Sequence, residues 1–337
     1  MKSAQALVEI WRGPILESQH RGHAVICNAE GEIISTWGDP ELVFLPRSAA
    51  KMLQALPLVE SGAAAEAGLR PEQLALSCAS HNGAAIHTER VNAWLETLGL
   101  GDDDFRCGAH EPKDREARDA LVRAGKQPCQ VHNNCSGKHA GFLTLARHLK
   151  AGPEYVDPDH PVQLAVREAF EGMTGTTSPG FGIDGCSAPN FATTLQGMAT
   201  AMARMAAGET GSHARNMAAA RLVAAMARHP ELVAGEGRAC TELMRAMGGV
   251  ASIKTGAEGV FVAILPGPRL GIAVKIEDGA SRAAEAVITA LLARLGALEP
   301  DHPAARKYMH GPITNWRGIE TGFVRPTDTL WQSGKPI

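Results

Sequence analysis

The sequence is poor in aromatic residues and almost balanced in charge. Only 4% of its 337 residues are Phe, Trp or Tyr, and the formal net charge is −3. A nearly neutral chain offers no electrostatic basis for binding a nucleic-acid backbone or an anionic membrane. No apolar run approaches the roughly 18 residues that a membrane-spanning helix needs. We therefore expect neither nucleic acid nor a membrane among its partners.

The first residues lack the apolar core of a signal peptide, because Met1 to Gln5 lead directly into a strand-like pattern. The cysteines are odd in number, without the spacing of a disulfide framework, and include no C-x-x-C pair typical of structural zinc. They are Cys27, Cys78, Cys107, Cys129, Cys135, Cys186 and Cys240. We expect a cytoplasmic protein with reduced thiols.

Strand-like and helix-like patterns occupy different parts of the chain. Residues 7–11, 23–27 and 32–35 are typical of strands, and 259–265 with 270–276 are typical of a hairpin around a Pro/Gly turn. Helical spacing is found at 195–205, 212–228, 239–247 and 287–295. Strands at both ends with helices between them favour an α+β fold, with one antiparallel sheet built from both termini and an inserted helical lobe. We expect a single domain, 1–337, with a sheet lobe of about 1–45 and 250–337 and a mainly helical lobe of about 46–249.

A serine and a lysine three residues apart follow Pro46 at a predicted helix start. On a helix, Ser48 and Lys51 share one face. A serine hydroxyl needs a neighbouring base to act as a nucleophile, and a lysine whose pKa is depressed can supply one. Alone, however, this spacing is more often a helix-capping serine followed by a solvated lysine.

Two later segments also contain a serine or a lysine among small and polar residues. Residues 74–79 are apolar, predict a strand, and lead into a polar loop with Ser80 and Asn82; Lys254, Thr255 and Gly256 precede the hairpin. Each is ordinary by itself. In the order S-x-x-K, S-x-N, K-T-G, they match the signature of serine β-lactamases and penicillin-binding proteins, which favours that fold.

Two further segments place cysteines among small polar residues, at 132–139 and 182–189. Cys135 is expected to open a helix, whose dipole favours a thiolate. The Gly137-Lys138 pair is not a phosphate-binding loop, since the earlier glycine and the following Ser or Thr are missing. Two cysteines this far apart are more often buried thiols than metal ligands.

Taken together, these segments resemble the rhizobial-type, or class 3, L-asparaginases of the asparaginase II family. The most specific string is Asn133-Asn134-Cys135-Ser136-Gly137-Lys138-His139, and the resemblance extends from residue 8 to the hairpin after Lys254. It implies a serine β-lactamase-like fold, a homodimer, and hydrolysis of L-asparagine to L-aspartate and ammonia.

The resemblance also implies roles for individual residues. Catalysis falls on two serine–lysine tandems, Ser48 with Lys51 and Ser80 with Lys254. The implied zinc ligands are Cys135, Cys186 and Lys138. The implied substrate contacts are Arg47, Asp184 and His139. Lysine is an unusual zinc ligand because its amine must first lose a proton. The role of the zinc stays open, as does the identity of the acylated serine.

Converging lysines disfavour each other's protonation, so a neutral Lys51 is expected to take the proton of Ser48, with an alkaline pH optimum. Two other interpretations remain. One is a β-lactamase or peptidase, which shares the three fold motifs but acts on substrates outside the cytoplasm. The other is an inactive zinc sensor or ligand-binding module. Release of ammonia from asparagine separates both from an asparaginase.

Overall fold

A computed structural model describes residues 2–209 and 213–332. Its largest element is an antiparallel sheet of eight strands in the order β11-β12-β1-β2-β10-β9-β8, with β3 paired to β2. The strands are β1 Gln5–Arg12, β2 Ile15–Cys27, β3 Ile33–Trp37, β4 Val43–Phe44, β5 Phe181–Ile183, β6 Pro189–Phe191, β7 Thr193–Thr194, β8 Ser252–Gly256, β9 Val260–Leu265, β10 Leu270–Ile276, β11 Pro312–Thr314 and β12 Glu320–Pro326.

Helices fill most of the chain between β4 and β8. The α-helices are α1 Lys51–Gln54, α2 Leu56–Glu60, α3 Ala63–Glu66, α4 Pro71–Ser77, α5 Ala85–Thr97, α6 Arg115–Arg123, α7 Ser136–His148, α8 Pro161–Thr174, α9 Leu195–Ala206, α10 Ala214–Arg228, α11 Pro230–Val233, α12 Ala239–Ala246, α13 Ser281–Arg294, α14 Pro303–Met309 and α15 Asp328–Gln332. Two small two-stranded sheets, β4–β7 and β5–β6, lie among them.

The central strands are buried on both faces. Every residue of β9 is buried, and β10 is buried except at Lys275. Helices α9 and α13 both pack against β9 and β10, and they cover the two faces of the sheet. A strand with both faces covered has to be apolar at successive positions, which explains the unbroken Val260–Leu265 run.

The expected fold class, a mixed α+β architecture with one antiparallel sheet from both ends, is confirmed. The N-terminal strands and the C-terminal hairpin lie where the sequence predicts them, and the helices predicted at 195–205, 239–247 and 287–295 are present. The helix predicted at 212–228 is observed from Ala214 to Arg228, and its predicted first residue lies outside the described part of the chain.

The strand predicted at 74–79 is wrong, because this segment belongs to helix α4 and the turn after it. Pro71 occupies the first turn of α4, and the side chain of Gln73 accepts a hydrogen bond of 3.0 Å from the Arg70 amide. The apolar run is buried against helices α7 and α10. A short, wholly buried run shows no periodicity that separates a strand from a helix.

No helix within residues 2–209 and 213–332 is long and apolar enough to cross a membrane.

Candidate active site

A cavity of about 360 Å³ lies where the segment before α1, the turn after α4 and strand β8 meet. Its wall includes two of the predicted catalytic residues, Ser48 and Ser80, together with Asn134 and Thr255. Ser48 lies in a 3-10 turn, Arg47–Ala50, that begins at Pro46 and continues into α1. The helix start predicted at Pro46 is therefore confirmed, and it places the Ser48 hydroxyl at the cavity.

The residue before Ser48 is held in a strained backbone conformation. Arg47 has a φ of 53°, in the left-handed region that non-glycine residues seldom adopt. Its amide donates to Asn190 Oδ1 at 3.1 Å, and its guanidinium donates twice to Asp184 Oδ1, at 2.9 and 2.7 Å. These contacts fix the turn that carries Ser48. The predicted substrate contacts Arg47 and Asp184 thus form an ion pair with each other.

The two lysines that the sequence predicts to be catalytic converge on Ser80. The Ser80 hydroxyl accepts hydrogen bonds from Lys51 Nζ at 2.8 Å and from Lys254 Nζ at 2.9 Å. Lys51 also donates to the carbonyl of Ala79, and Lys254 to that of Thr255. Within the described residues, no hydrogen bond joins Ser48 to Lys51. The structure therefore brings the four predicted catalytic residues together, but it places Lys51 on Ser80.

Lys254 is buried beside a second lysine, Lys51. Its exposed fraction is 0%, and burial, followed by repulsion from Lys51, lowers its pKa to about 7. An amine with such a pKa is substantially neutral near pH 7, and a neutral amine can accept a proton from a hydroxyl. This cluster therefore contains a base within hydrogen-bond distance of a serine.

Two glycines allow these elements to approach each other. A Cβ on Gly256 would lie 2.6 Å from the carbonyl oxygen of Pro46, so β8 could not otherwise approach the Ser48 turn so closely. A Cβ on Gly137 would collide with the carbonyl of Leu76, where the start of α7 crosses the end of α4. The close packing of β8 against the Ser48 turn thus explains why a glycine occupies the last position of the K-T-G motif.

A second cluster lies at the start of α7, where Cys135 is the residue that caps the helix, as predicted. Lys138 Nζ lies 3.1 Å from Cys186 Sγ, and the thiol of Cys135 donates to Asn134 Oδ1 at 2.9 Å. The two neighbouring cysteines act on each other, so that the pKa of Cys186 lies well below its usual range and the pKa of Cys135, which burial raises further, lies well above it. Burial lowers the pKa of Lys138, but attraction to both sulfurs outweighs it and raises the pKa overall.

This donor set fits a soft metal ion with two sulfur ligands and one amine. Thiolates and neutral amines are ligands that zinc accepts, and the surroundings of Cys186 lower the pKa of its thiol. In the described part of the chain, no group of three or more His, Cys, Asp or Glu residues is placed to hold a metal. A metal bound by the two cysteines would therefore require Lys138 as its third protein ligand.

His139 lies beside this second cluster and not in the wall of the cavity. It is fully buried, its Nδ1 is 2.9 Å from the Tyr155 hydroxyl, and burial lowers its pKa to about 4. Its Nε2 has no hydrogen-bond partner among residues 2–209 and 213–332. The ring is therefore neutral at ordinary pH, and its role as a substrate contact stays a prediction.

Several residues in the cavity wall were assigned no role from the sequence, among them His81, Lys113, Arg238 and Glu258. His81 Nδ1 accepts from the amide of Gly83 at 3.2 Å, so Nε2 carries the proton and donates to Ser136 Oγ at 3.0 Å. This residue lies within a recognised segment, whereas Lys113 and Arg238 lie in segments with no motif. Cys240 lies behind the wall, where its sulfur accepts from the Thr255 amide at 3.3 Å.

The fold and the cavity together define a mixed α+β protein in which serine hydroxyls face a cavity beside buried lysines. The family model of L-asparaginase II matches residues 8–326, and the chain belongs to this family. It is accordingly an amidohydrolase of the asparaginase family. The resemblance inferred from the sequence motifs is confirmed at the level of the family.

Solved structures similar to this chain include that of Mglu, with 17% identity and a TM-score of 0.47 over 83% of this chain and 68% of Mglu. A β-lactamase from Mycobacterium bovis is similar with 14% identity and a TM-score of 0.43, over 82% of this chain and 95% of the β-lactamase. No curated protein sequence matches the chain.

Proposed function

We propose that this protein hydrolyses the side-chain amide of L-asparagine to L-aspartate and ammonia. The observation that carries the proposal is the Ser80 hydroxyl held by Lys51 and Lys254, in a cavity that Ser48 also faces. Membership of the L-asparaginase II family supports asparagine as the substrate. A serine beside a lysine base is suited to forming an acyl-enzyme from an amide.

In the proposed reaction, Ser48 Oγ attacks the side-chain carbonyl carbon of asparagine. Its proton passes to the hydrogen-bonded network of Lys51, Ser80 and Lys254, in which Lys254 has the pKa of about 7 that a base needs. The carbon–nitrogen bond then breaks, and the network returns a proton to the departing ammonia. Water attacks the resulting ester, which releases aspartate and restores the Ser48 hydroxyl.

Ser48 suits the role of nucleophile because its hydroxyl faces the cavity from a turn that the contact of Arg47 with Asp184 fixes. Its backbone amide donates to no carbonyl among the described residues, so it is free to hydrogen-bond the developing oxyanion. Ser80, whose hydroxyl is shared between two amines, suits the transfer of protons.

We also propose that Cys135, Lys138 and Cys186 hold zinc. A zinc ion there would supply a positive charge next to Asn134, which lines the cavity. For the chain's own residues, the consequence is that Lys138 must be neutral when it binds the ion. A homodimer, which the family resemblance favours, is part of the same proposal and is tested by the mass of the protein in solution.

The decisive experiment measures ammonia release from L-asparagine by the wild type, Ser48→Ala and Ser80→Ala. We expect Ser48→Ala to lower kcat by about 10⁴-fold or more, because the variant lacks the hydroxyl that forms the proposed acyl-enzyme. Ser18→Ala, an exposed serine on β2, is the matched control and should leave kcat unchanged.

Mass spectrometry of quenched reactions should find the acyl group on the peptide that contains Ser48. An acyl group on Ser80 would reverse the roles of the two serines. A wild type that hydrolyses nitrocefin but releases no ammonia from asparagine would contradict the proposed substrate.

A further inference from the structure

Two basic side chains line the cavity that contains Ser48 and Ser80. Arg238, half-buried just before α12, and Lys113, exposed just before α6, both belong to its wall. The sequence places neither residue in a recognisable motif. Their presence gives this cavity a positive region beside the reactive serines.

Neither side chain makes a hydrogen bond or an ion pair within residues 2–209 and 213–332. Other arginines of comparable burial are paired, such as Arg215 with Glu60 at 2.7 Å and Arg47 with Asp184 at 2.7 Å. Placing a guanidinium out of bulk water without a counter-ion costs free energy unless an anion arrives. The lack of a counter-ion at Arg238 is therefore more typical of a residue that binds a ligand than of one that stabilises the fold.

The two cations act on each other. Although Lys113 is exposed overall, its ammonium group is partly shielded from water, and this shielding, followed by repulsion from Arg238, lowers its pKa. Arg238 is also within electrostatic range of Glu285, but burial raises the pKa of that carboxyl and weakens it as a counter-ion. A carboxylate bound between Arg238 and Lys113 would relieve this repulsion.

A carboxylate of the protein lies elsewhere in the same wall. Glu258 lines the cavity in the turn after β8, with a left-handed φ of 60°, and it forms no ion pair in the described part of the chain. One cavity thus presents cationic groups and an acidic group around the two serines. This arrangement of charges matches an amino-acid zwitterion, which carries both a carboxylate and an ammonium group.

We propose that Arg238, assisted by Lys113, binds the α-carboxylate of the amino-acid substrate, and that Glu258 receives its α-ammonium group. The inference deepens the proposed asparaginase function and rests on it for the identity of the substrate. Arginine suits this role because its planar fork can bond both oxygens of a carboxylate. The subsite would favour free asparagine over an amide that lacks an α-carboxylate.

Titration calorimetry with L-aspartate and with β-alanine tests the subsite, because β-alanine is aspartate without its α-carboxylate. We expect Arg238→Ala to weaken aspartate binding by about 10- to 100-fold, the loss typical of a hydrogen bond between charged groups. Binding of β-alanine should change far less, and Arg238→Lys should weaken aspartate binding to an intermediate extent. The matched control is Arg317→Ala, which removes an exposed cation near β11, at the opposite edge of the sheet from β8.

Steady-state kinetics with asparagine separates the failure of this inference from the failure of the proposed function. If the wild type releases ammonia and Arg238→Ala has the same KM as Arg317→Ala, the subsite is wrong and the asparaginase proposal stands. If the wild type releases no ammonia but aspartate binding depends on Arg238, the subsite stands without the activity. Aspartate that binds equally to wild type and Arg238→Ala, or to neither, overturns the subsite.

Discussion

Lys254 and Lys138 are both enclosed by protein, with exposed fractions of 0% and 3%, yet their surroundings shift their pKa values in opposite directions. Lys254 lies near another lysine and bonds to a hydroxyl, and its pKa falls to about 7. Lys138 lies against the sulfurs of Cys135 and Cys186, and its pKa rises. Burial opposes the charge of both amines, so the neighbouring charge decides the sign.

The comparison shows how one residue type can serve two purposes in one protein. An amine that is neutral near pH 7 can exchange protons with a serine, as Lys254 is proposed to do. An amine held charged by a thiolate stabilises that thiolate instead, and a metal ion bound to the amine would have to displace its proton. The serine–lysine cluster therefore suits proton transfer, and the cysteine–lysine cluster suits holding a cation.

The largest effect that separates the two lysines should come from Lys254→Met. Removing the base should lower kcat by about 10²- to 10⁴-fold, the usual contribution of general base catalysis. Lys126→Met, which removes an exposed lysine, is the control for loss of charge. Activity within a few-fold of wild type in Lys254→Met would remove Lys254 from the mechanism.

Zinc content should depend on the second cluster alone. Cys186→Ser should abolish stoichiometric zinc in metal analysis of purified protein, because a serine hydroxyl is a far poorer zinc ligand than a thiolate. Cys129→Ser is the matched control, since that half-buried thiol lies 3.2 Å from His132 and outside the cluster. Wild type that stays free of zinc after zinc supplementation would end the metal proposal.

The pH dependence of kcat/KM should follow Lys254, because this ratio reports the pKa of the free enzyme. Its folded-state pKa of about 7 lies below the ordinary value of 10.5, so the amine is protonated and inactive at low pH. Activity should rise with pH through about 7 and fall about tenfold for each pH unit below it. An acid limb near pH 4 to 5 would indicate a carboxylate base and contradict this assignment.

The smallest effect should come from Asp184→Asn, which weakens the ion pair that fixes the Ser48 turn. Side-chain exposures of 29% for Arg47 and 15% for Asp184 moderate the loss, which we expect to be about 1–2 kcal/mol of unfolding free energy in urea denaturation. Glu17→Gln, in an exposed pair with Arg12, should change stability less. Equal losses in both variants would show that the ion pair between Arg47 and Asp184 contributes no more to stability than an exposed ion pair does.

Much of the fold was predictable because its signals are local. The apolar hairpin before α13, the strands near the N-terminus and the helix starts at Pro46 and Cys135 all follow from periodicity and from residues typical of element boundaries. The strand predicted at 74–79 failed because a short buried run looks the same in a strand and in a helix. Its helical signal is Pro71 together with Gln73, just upstream.

The candidate site was predictable only in part, because its residues come from segments that are far apart in the chain. The motifs supplied Ser48, Lys51, Ser80 and Lys254, but the partner of Lys51 is Ser80, which is 29 residues away in the chain. Arg238 and Lys113 carry no motif, so their place in the cavity depends on how α12 and the segment before α6 pack around it.

The sequence by itself determined the family, the chemical groups available and the main strands and helices, since these depend on residue type and on spacing along the chain. Only the tertiary structure decided that the pKa of Lys254 is lowered, which serine each lysine bonds, and which cations face the cavity. Those properties depend on burial and on charges brought together from distant segments, and neither is set by neighbours in the sequence.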